Sequence, residues 1–118
     1  MNYKFSEKVI SKTPLEIWSF IQNGLSNDVI IKSIGKDKIP YTVNYVTNDE
    51  ISFSAQTRNN EEPDVIGFND FVTVVERLKG LEIFNTSSGK ESFKGTKIYR
   101  KRSPFFALLL SSNVIEKV

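Results

Sequence analysis

The sequence predicts one small α+β domain over residues 1–118, in which an antiparallel sheet packs against about three helices. Apolar and polar residues alternate on both sides of a turn, which predicts a central β-hairpin at about residues 41–57. Apolar stripes at helical spacing predict helices over residues 14–23, 70–79 and 103–112. A chain of this length suits one domain with one core, and neither an internal repeat nor a low-complexity tract divides it.

The first elements are a strand and a helix. Tyr3, Phe5 and then Val9-Ile10 predict an opening strand. Thr13-Pro14 is typical of a helix start, and Gly24 is typical of the helix end. The helix between them carries a wide apolar stripe, formed by Leu15, Ile17, Trp18, Phe20 and Ile21. We interpret its tryptophan as a core anchor rather than a ligand platform.

The hairpin has one apolar and one polar face, and a β-branched run at residues 29–34 predicts another strand before it. The apolar face comprises Tyr41, Val43, Tyr45, Ile51, Phe53 and Ala55. The polar face comprises Thr42, Asn44, Ser52, Ser54, Gln56 and, at its end, Arg58. Short neutral hydrogen-bonding side chains suit contacts to base edges, and they are equally ordinary on a solvated strand face.

The second half of the chain alternates short strands with helices. Residues 65–68 predict a brief strand, Asn69-Asp70 predicts the cap of the second helix, and Gly80 predicts its end. Residues 81–84 predict a further strand, and the hydroxyl-rich segment 85–90 predicts a flexible link.

The third helix follows the dipeptide Ser103-Pro104. Ser103 is the predicted cap, and Pro104 fits the first helical turn, where its missing N–H is no loss. The apolar residues 105–110 are predicted to be core. Val114 and Ile115 are expected to complete that core, followed by a tail at residues 116–118.

Charge is segregated along the chain, although the net charge is only +2. Six cations and one anion lie between Lys90 and Arg102, a segment that we call the basic run, whereas seven anions and one cation lie between Asp49 and Glu76. The small net charge does not by itself imply a nucleic-acid partner, so the distribution carries the argument. Two differently charged loops would be the alternative interpretation.

Several classes of chemistry are excluded or disfavoured. The chain has neither cysteine nor histidine, so it has no disulfides, no thiolate metal sites and no histidine base. Pro63-Asp64 begins a nuclease pattern, but no Asp or Glu has a lysine two positions on. We therefore expect no enzyme activity, no cofactor and no metal. The longest apolar run is too short to span a bilayer and there is no signal core, so a cytoplasmic protein without a membrane partner is expected.

Binding to nucleic acid is the function that the charge pattern favours. The candidate phosphate ligands are five cations of the basic run together with the serine that follows: Lys94, Lys97, Arg100, Lys101, Arg102 and Ser103. Arg58 is a candidate base contact. Three consecutive cations before a helix N-terminus oppose the helix dipole, and a bound anion would relieve that repulsion. The alternative is that residues 97–102 form the exposed face of a strand.

Most of the chain resembles small DNA-recognition or accessory domains of restriction systems. The matching positions are Ile66, Phe71, Val74 or Val75, Leu78, Arg102, Ser103, Phe105 or Phe106, Ala107, Leu108 and Leu109. The resemblance implies a specificity module that binds DNA, rather than RNA, beside a nuclease or helicase subunit.

The first twenty or so residues resemble the opening strand and tryptophan-bearing helix of the helix-grip lipid-binding proteins. That resemblance implies a carrier with a cavity for a small hydrophobic ligand, although the predicted last helix is short for such a fold. A third possibility is a protein–protein adaptor that uses the acidic segment Glu61-Glu62-Pro63-Asp64.

Overall fold

The computed structural model describes residues 2–25, 30–32, 40–55 and 63–118, and within these ranges the chain is a single α+β domain, as predicted. The elements are β1 (Tyr3–Phe5), α1 (Pro14–Gly24), β2 (Ile30–Lys32), β3 (Pro40–Val46), β4 (Glu50–Ala55), β5 (Asp64–Gly67), α2 (Phe68–Lys79), α3 (Arg102–Ser111) and β6 (Ile115–Lys117). Two 3₁₀ helices, Ser88–Phe93 and Tyr99–Lys101, lie between α2 and α3.

The strands of the described ranges form two antiparallel sheets. The larger has the order β2-β3-β4-β5, and the smaller pairs β1 with β6. The predicted hairpin is confirmed over the described residues, with Tyr41 opposite Ala55 and Val43 opposite Phe53. Its last predicted positions, 56–57, lie outside the described residues.

A register shift in β3 corrects the predicted apolar face. The pairing jumps from Val43–Phe53 to Tyr45–Ser52, so Asn44 is an extra residue in β3. Because side chains alternate across a strand, the extra residue moves Tyr45 to the face of Ser52, and Tyr45 is 38% exposed rather than buried. Ser52, predicted to lie on a solvated polar face, is only 2% exposed.

The core is rich in aromatic rings. Trp18 is 1% exposed, and its ring centroid lies 5.2 Å from Phe68 and 5.0 Å from Phe71. Its Nε1–H donates to the Thr47 carbonyl at 2.9 Å, so the indole also ties α1 to the β3–β4 turn. These contacts confirm that the tryptophan is a core anchor. Phe105 and Phe106 of α3 extend the core through ring contacts with Phe71, Phe84 and Phe93.

The three predicted helices are present, with corrections at two starts. Helix α2 begins at Phe68, before the predicted Asn69-Asp70 cap, because β5 runs directly into it and the Asp49 carbonyl accepts the Phe68 N–H at 2.8 Å. Helix α3 begins at Arg102, so Ser103 is not its cap. The 3₁₀ helix Tyr99–Lys101 leads straight into α3 and leaves no extended residue from which a capping hydroxyl could reach back.

Three smaller predictions also change. The opening strand ends at Phe5, and turns follow it through the predicted Val9-Ile10. The strand predicted at residues 81–84 is reduced to one bridge between Tyr3 and Phe84. The predicted tail is strand β6, which gains a partner because β1 offers it an antiparallel edge.

None of the helices in the described ranges is long and apolar enough to cross a membrane.

The turn after α2 contains a strained residue that provides a stability test. Glu82 has a φ of 59°, and the Ile83 N–H donates across it to the Leu81 carbonyl at 2.6 Å. Because this conformation is unfavourable for residues with a Cβ, Glu82→Gly is expected to raise the free energy of unfolding by about 1 kcal/mol. Glu76→Gly, at an exposed position inside α2, should lower it by about 1 kcal/mol. Urea unfolding of both variants measures these changes. If both variants lose the same free energy of unfolding, the backbone at Glu82 is not strained.

Candidate anion-binding groove

The segment between α2 and α3 is folded onto the core rather than being a flexible link. Gly89 permits this packing, because a Cβ there would lie 3.1 Å from the Phe106 ring and 3.3 Å from Leu78. Arg77 of α2 also donates from Nη1 to the carbonyls of Ser92 at 3.2 Å and Lys94 at 2.7 Å. The 3₁₀ helix Ser88–Phe93 is therefore attached to both α2 and α3.

The residues just before that 3₁₀ helix are organised by one asparagine. The Asn85 carboxamide oxygen accepts the N–H groups of Ser87 at 2.9 Å and Ser88 at 2.8 Å. The Ser88 hydroxyl in turn accepts the Asn85 N–H at 2.9 Å. These bonds hold Thr86 and Ser87 beside the start of α3.

The three consecutive cations of the basic run have different surroundings, because a 3₁₀ helix with three residues per turn directs them apart. Lys101 donates from Nζ to the Val65 carbonyl at 3.1 Å and lies 3.8 Å from Asp64 Oδ1, so it faces β5. Arg102 lies over the Tyr99 ring at 4.7 Å and donates to the Tyr99 carbonyl at 3.2 Å. Arg100 is exposed, and its side chain has no partner in the described part of the chain. Residues 97–102 form a turn, a 3₁₀ helix and the first residue of α3. The alternative interpretation, that these residues form the exposed face of a strand, is therefore wrong.

Six polar residues line a surface groove of about 440 Å³, which we call the basic groove. Its lining residues are Thr86, Ser87, Lys90, Arg100, Arg102 and Ser103. The lining thus contains three cations and three hydroxyl groups and no carboxylate. Such a set of donors without acceptor charges is suited to an anion with several oxygens.

The electrostatics at the start of α3 differ from those of the other two helices in the described structure. The first turns of α1 and α2 contain Glu16 and Asp70, respectively, which complement the positive end of the helix dipole. The first turn of α3 contains no acidic residue and begins with Arg102. The missing negative charge would be supplied by a bound anion.

The remaining predicted site residues are distributed elsewhere. Lys94 forms an exposed ion pair with Glu91 at 2.7 Å, and this hydrogen bond raises the pKa of Lys94. Lys97 lines a second groove of about 550 Å³, together with Asp64, Thr96, Tyr99, Arg100 and Lys101. We call it the mixed groove, because it contains a carboxylate as well as cations. Arg58 lies outside the described residues.

Several side chains on the polar face of the hairpin hydrogen-bond to one another. Asn44 Nδ2 donates to the hydroxyls of Ser52 at 3.3 Å and Ser54 at 2.9 Å. These groups would have to exchange their partners before they could contact a base. In the described ranges, no three Asp or Glu side chains come together in a way that could hold a metal ion.

Three groove residues were absent from the predicted site: Thr86, Ser87 and Lys90. Lys90 belongs to the basic run in the sequence, and the run Asn-Thr-Ser-Ser-Gly-Lys is rich in hydroxyl groups beside a glycine and a lysine. That composition is the sequence signal that could have indicated an anion-binding segment. Its position beside Arg102 depends on the packing of Gly89 against α3.

The different surroundings of Lys101 and Lys97 lead to a prediction. Lys101→Ala should lower the free energy of unfolding by about 1 kcal/mol, because it removes the contact to Val65 and Asp64. Lys97→Ala, at an exposed side chain, should change it by less than about 0.5 kcal/mol. Urea unfolding of both variants measures the difference. Equal stability of the two variants would contradict a structural role for Lys101.

Three comparisons, with models of known families, with curated proteins and with solved structures, find no match to this chain.

Proposed function

We propose that this chain is a non-catalytic nucleic-acid-binding module that favours DNA, and that the basic groove holds its phosphate backbone. The observation that carries the proposal is the convergence of Lys90, Arg100 and Arg102 on one groove that has no carboxylate in its lining. Lysine and arginine neutralise phosphates, and serine and threonine hydroxyls donate to phosphate oxygens. The groove provides both kinds of group.

The roles within the groove follow from the contacts of each side chain. Arg102 is held by Tyr99 and is the fixed cation, whereas Lys90 and Arg100 are exposed and able to move toward a ligand. Ser103 donates from its hydroxyl. Lys97, which lines the mixed groove, would contact a neighbouring phosphate, and Arg58 remains a proposed base contact.

The resemblance to accessory domains of restriction systems gives this proposal its biological setting. It implies that the module works beside a nuclease or helicase subunit, which would carry the chemistry. The proposal also places the module in the cytoplasm. The proposal itself assigns no catalytic residue to this chain.

Packing around Trp18 favours DNA binding over the carrier alternative. A carrier of the helix-grip kind needs space beneath the tryptophan helix, and there the indole contacts the rings of Phe68 and Phe71. In the described ranges, the last helix, α3, has only 10 residues and is followed by β6, unlike the long final helix of that fold. For the adaptor alternative, Glu61 and Glu62 lie outside the described residues, and Asp64 is close to Lys101.

Salt-dependent binding tests the proposal. The fluorescence anisotropy of a short labelled DNA duplex should rise as the protein is added at low salt. The logarithm of the association constant should fall linearly with the logarithm of salt concentration, with a slope of about −3 for three neutralised phosphates. Absence of binding at the lowest salt, or an affinity that does not depend on salt, would overturn the proposal.

A further inference from the structure

The basic groove is a concave site built from two separate chain segments. Thr86, Ser87 and Lys90 form one wall, and Arg100, Arg102 and Ser103 form the other. Its volume of about 440 Å³ is large enough to accommodate a small ligand group, and the groove is open to solvent.

The charge in the groove exceeds what a single internal phosphate requires. An internal phosphodiester has one negative charge and two free oxygens, whereas a phosphomonoester has about −1.5 to −2 charges at pH 7 and three strong acceptor oxygens. The three cations of the groove are sufficient to neutralise the full charge of the second group, and its three hydroxyls add neutral donors for the acceptor oxygens. We therefore infer that the basic groove binds the terminal phosphomonoester of a nucleic-acid strand. This inference rests on the proposed function.

The neighbouring groove provides a path for the rest of the strand. Arg100 lines both grooves, so a strand that ends in the basic groove would leave across Arg100. Lys97 lies in the mixed groove, where a lysine can meet the next phosphate of the strand. Asp64 in the mixed groove makes that region less favourable for a dianion, which places the terminal group in the basic groove.

The test compares strand ends on otherwise identical single-stranded oligonucleotides. One has a 5′-phosphate, one a 3′-phosphate and one hydroxyl groups at both ends, and each has an internal label. We expect the full chain to bind one of the phosphorylated strands about tenfold more tightly than the hydroxyl strand, as for one charge-assisted contact. A hydroxyl strand that is one nucleotide longer controls for the added charge and should not reproduce the gain.

Two variants connect that preference to the groove. Lys90→Ala should reduce the tenfold preference to about twofold or less, because Lys90 is one of the three groove cations. Lys8→Ala removes the same charge from a different groove, lined by Asn113 and Glu116 among others, and should retain the preference.

The outcomes separate the two proposals. Equal binding of all the strands, or a preference that Lys90→Ala leaves intact, would overturn the terminal-phosphate inference while the proposed function stands. Failure to bind any strand or duplex at low salt would overturn both.

Discussion

Replacing Lys90 and Arg100 together by alanine is expected to weaken binding to a short DNA duplex by about 100-fold at low salt. Each side chain would make a charge-assisted contact with a phosphate, and losing one such contact costs about tenfold in affinity. Within the described structure, neither side chain has a hydrogen-bond or ion-pair partner, so the fold should be unaffected. The slope of affinity against salt should also become less steep by about 2.

A matched variant distinguishes the groove from net charge. Lys8→Ala/Lys12→Ala removes the same charge outside the basic groove, and its affinity should stay within about threefold of the parent. Thermal unfolding of both double variants confirms that the proteins are folded before affinities are compared. If the two double variants bind equally weakly, the groove has no special role.

Replacing Gly89 by valine is expected to lower the free energy of unfolding by about 2 kcal/mol. The added Cβ would lie 3.1 Å from the Phe106 ring and 3.3 Å from Leu78, and both neighbours are fully buried. Overpacking a closed core in this way displaces side chains or backbone. Because Gly89 precedes Lys90, the displaced 3₁₀ helix would also move that lysine, and DNA affinity should fall.

Gly24→Val is the control for this substitution. A Cβ at Gly24, in the last turn of α1, has no neighbour within 4 Å, so stability should change by less than about 0.5 kcal/mol. Urea unfolding measures the difference in free energy of unfolding between the two variants, provided that their m-values are the same. A Gly89→Val protein as stable as the parent would contradict the close packing of the 88–93 segment on α3.

The helices and the hairpin could be predicted because local patterns determine them. The apolar stripe of α1 and its Thr13-Pro14 start were sufficient to predict that helix. In the structure, the Thr13 hydroxyl accepts the Glu16 N–H at 3.2 Å as part of a capping box. The extra residue at Asn44 could not be predicted from alternation, since the pattern Tyr41, Val43, Tyr45 continues through it. The bulge is determined by the way β3 pairs with β4, and this pairing depends on the folded structure rather than on the sequence of β3 alone.

The candidate site could be predicted only in part, because the positions of charged residues in the sequence do not show which way their side chains point in the fold. The basic run contains Arg100 and Arg102, which line the basic groove, and also Lys101, which faces a carbonyl 36 residues away in sequence. No local pattern shows that Val65 would accept this lysine. The Glu91–Lys94 pair, in contrast, lies at helical i,i+3 spacing and could have been recognised.

The central claim is that the basic groove is the nucleic-acid site, and mapping the contact surface by NMR tests it most directly. A short DNA duplex would be titrated into the ¹⁵N-labelled chain while backbone amide shifts are followed. We expect the largest shift changes at residues 86–90 and 100–103, with little change in the amides near Trp18. Changes confined to the hairpin, or no changes at low salt, would contradict the assignment of the groove.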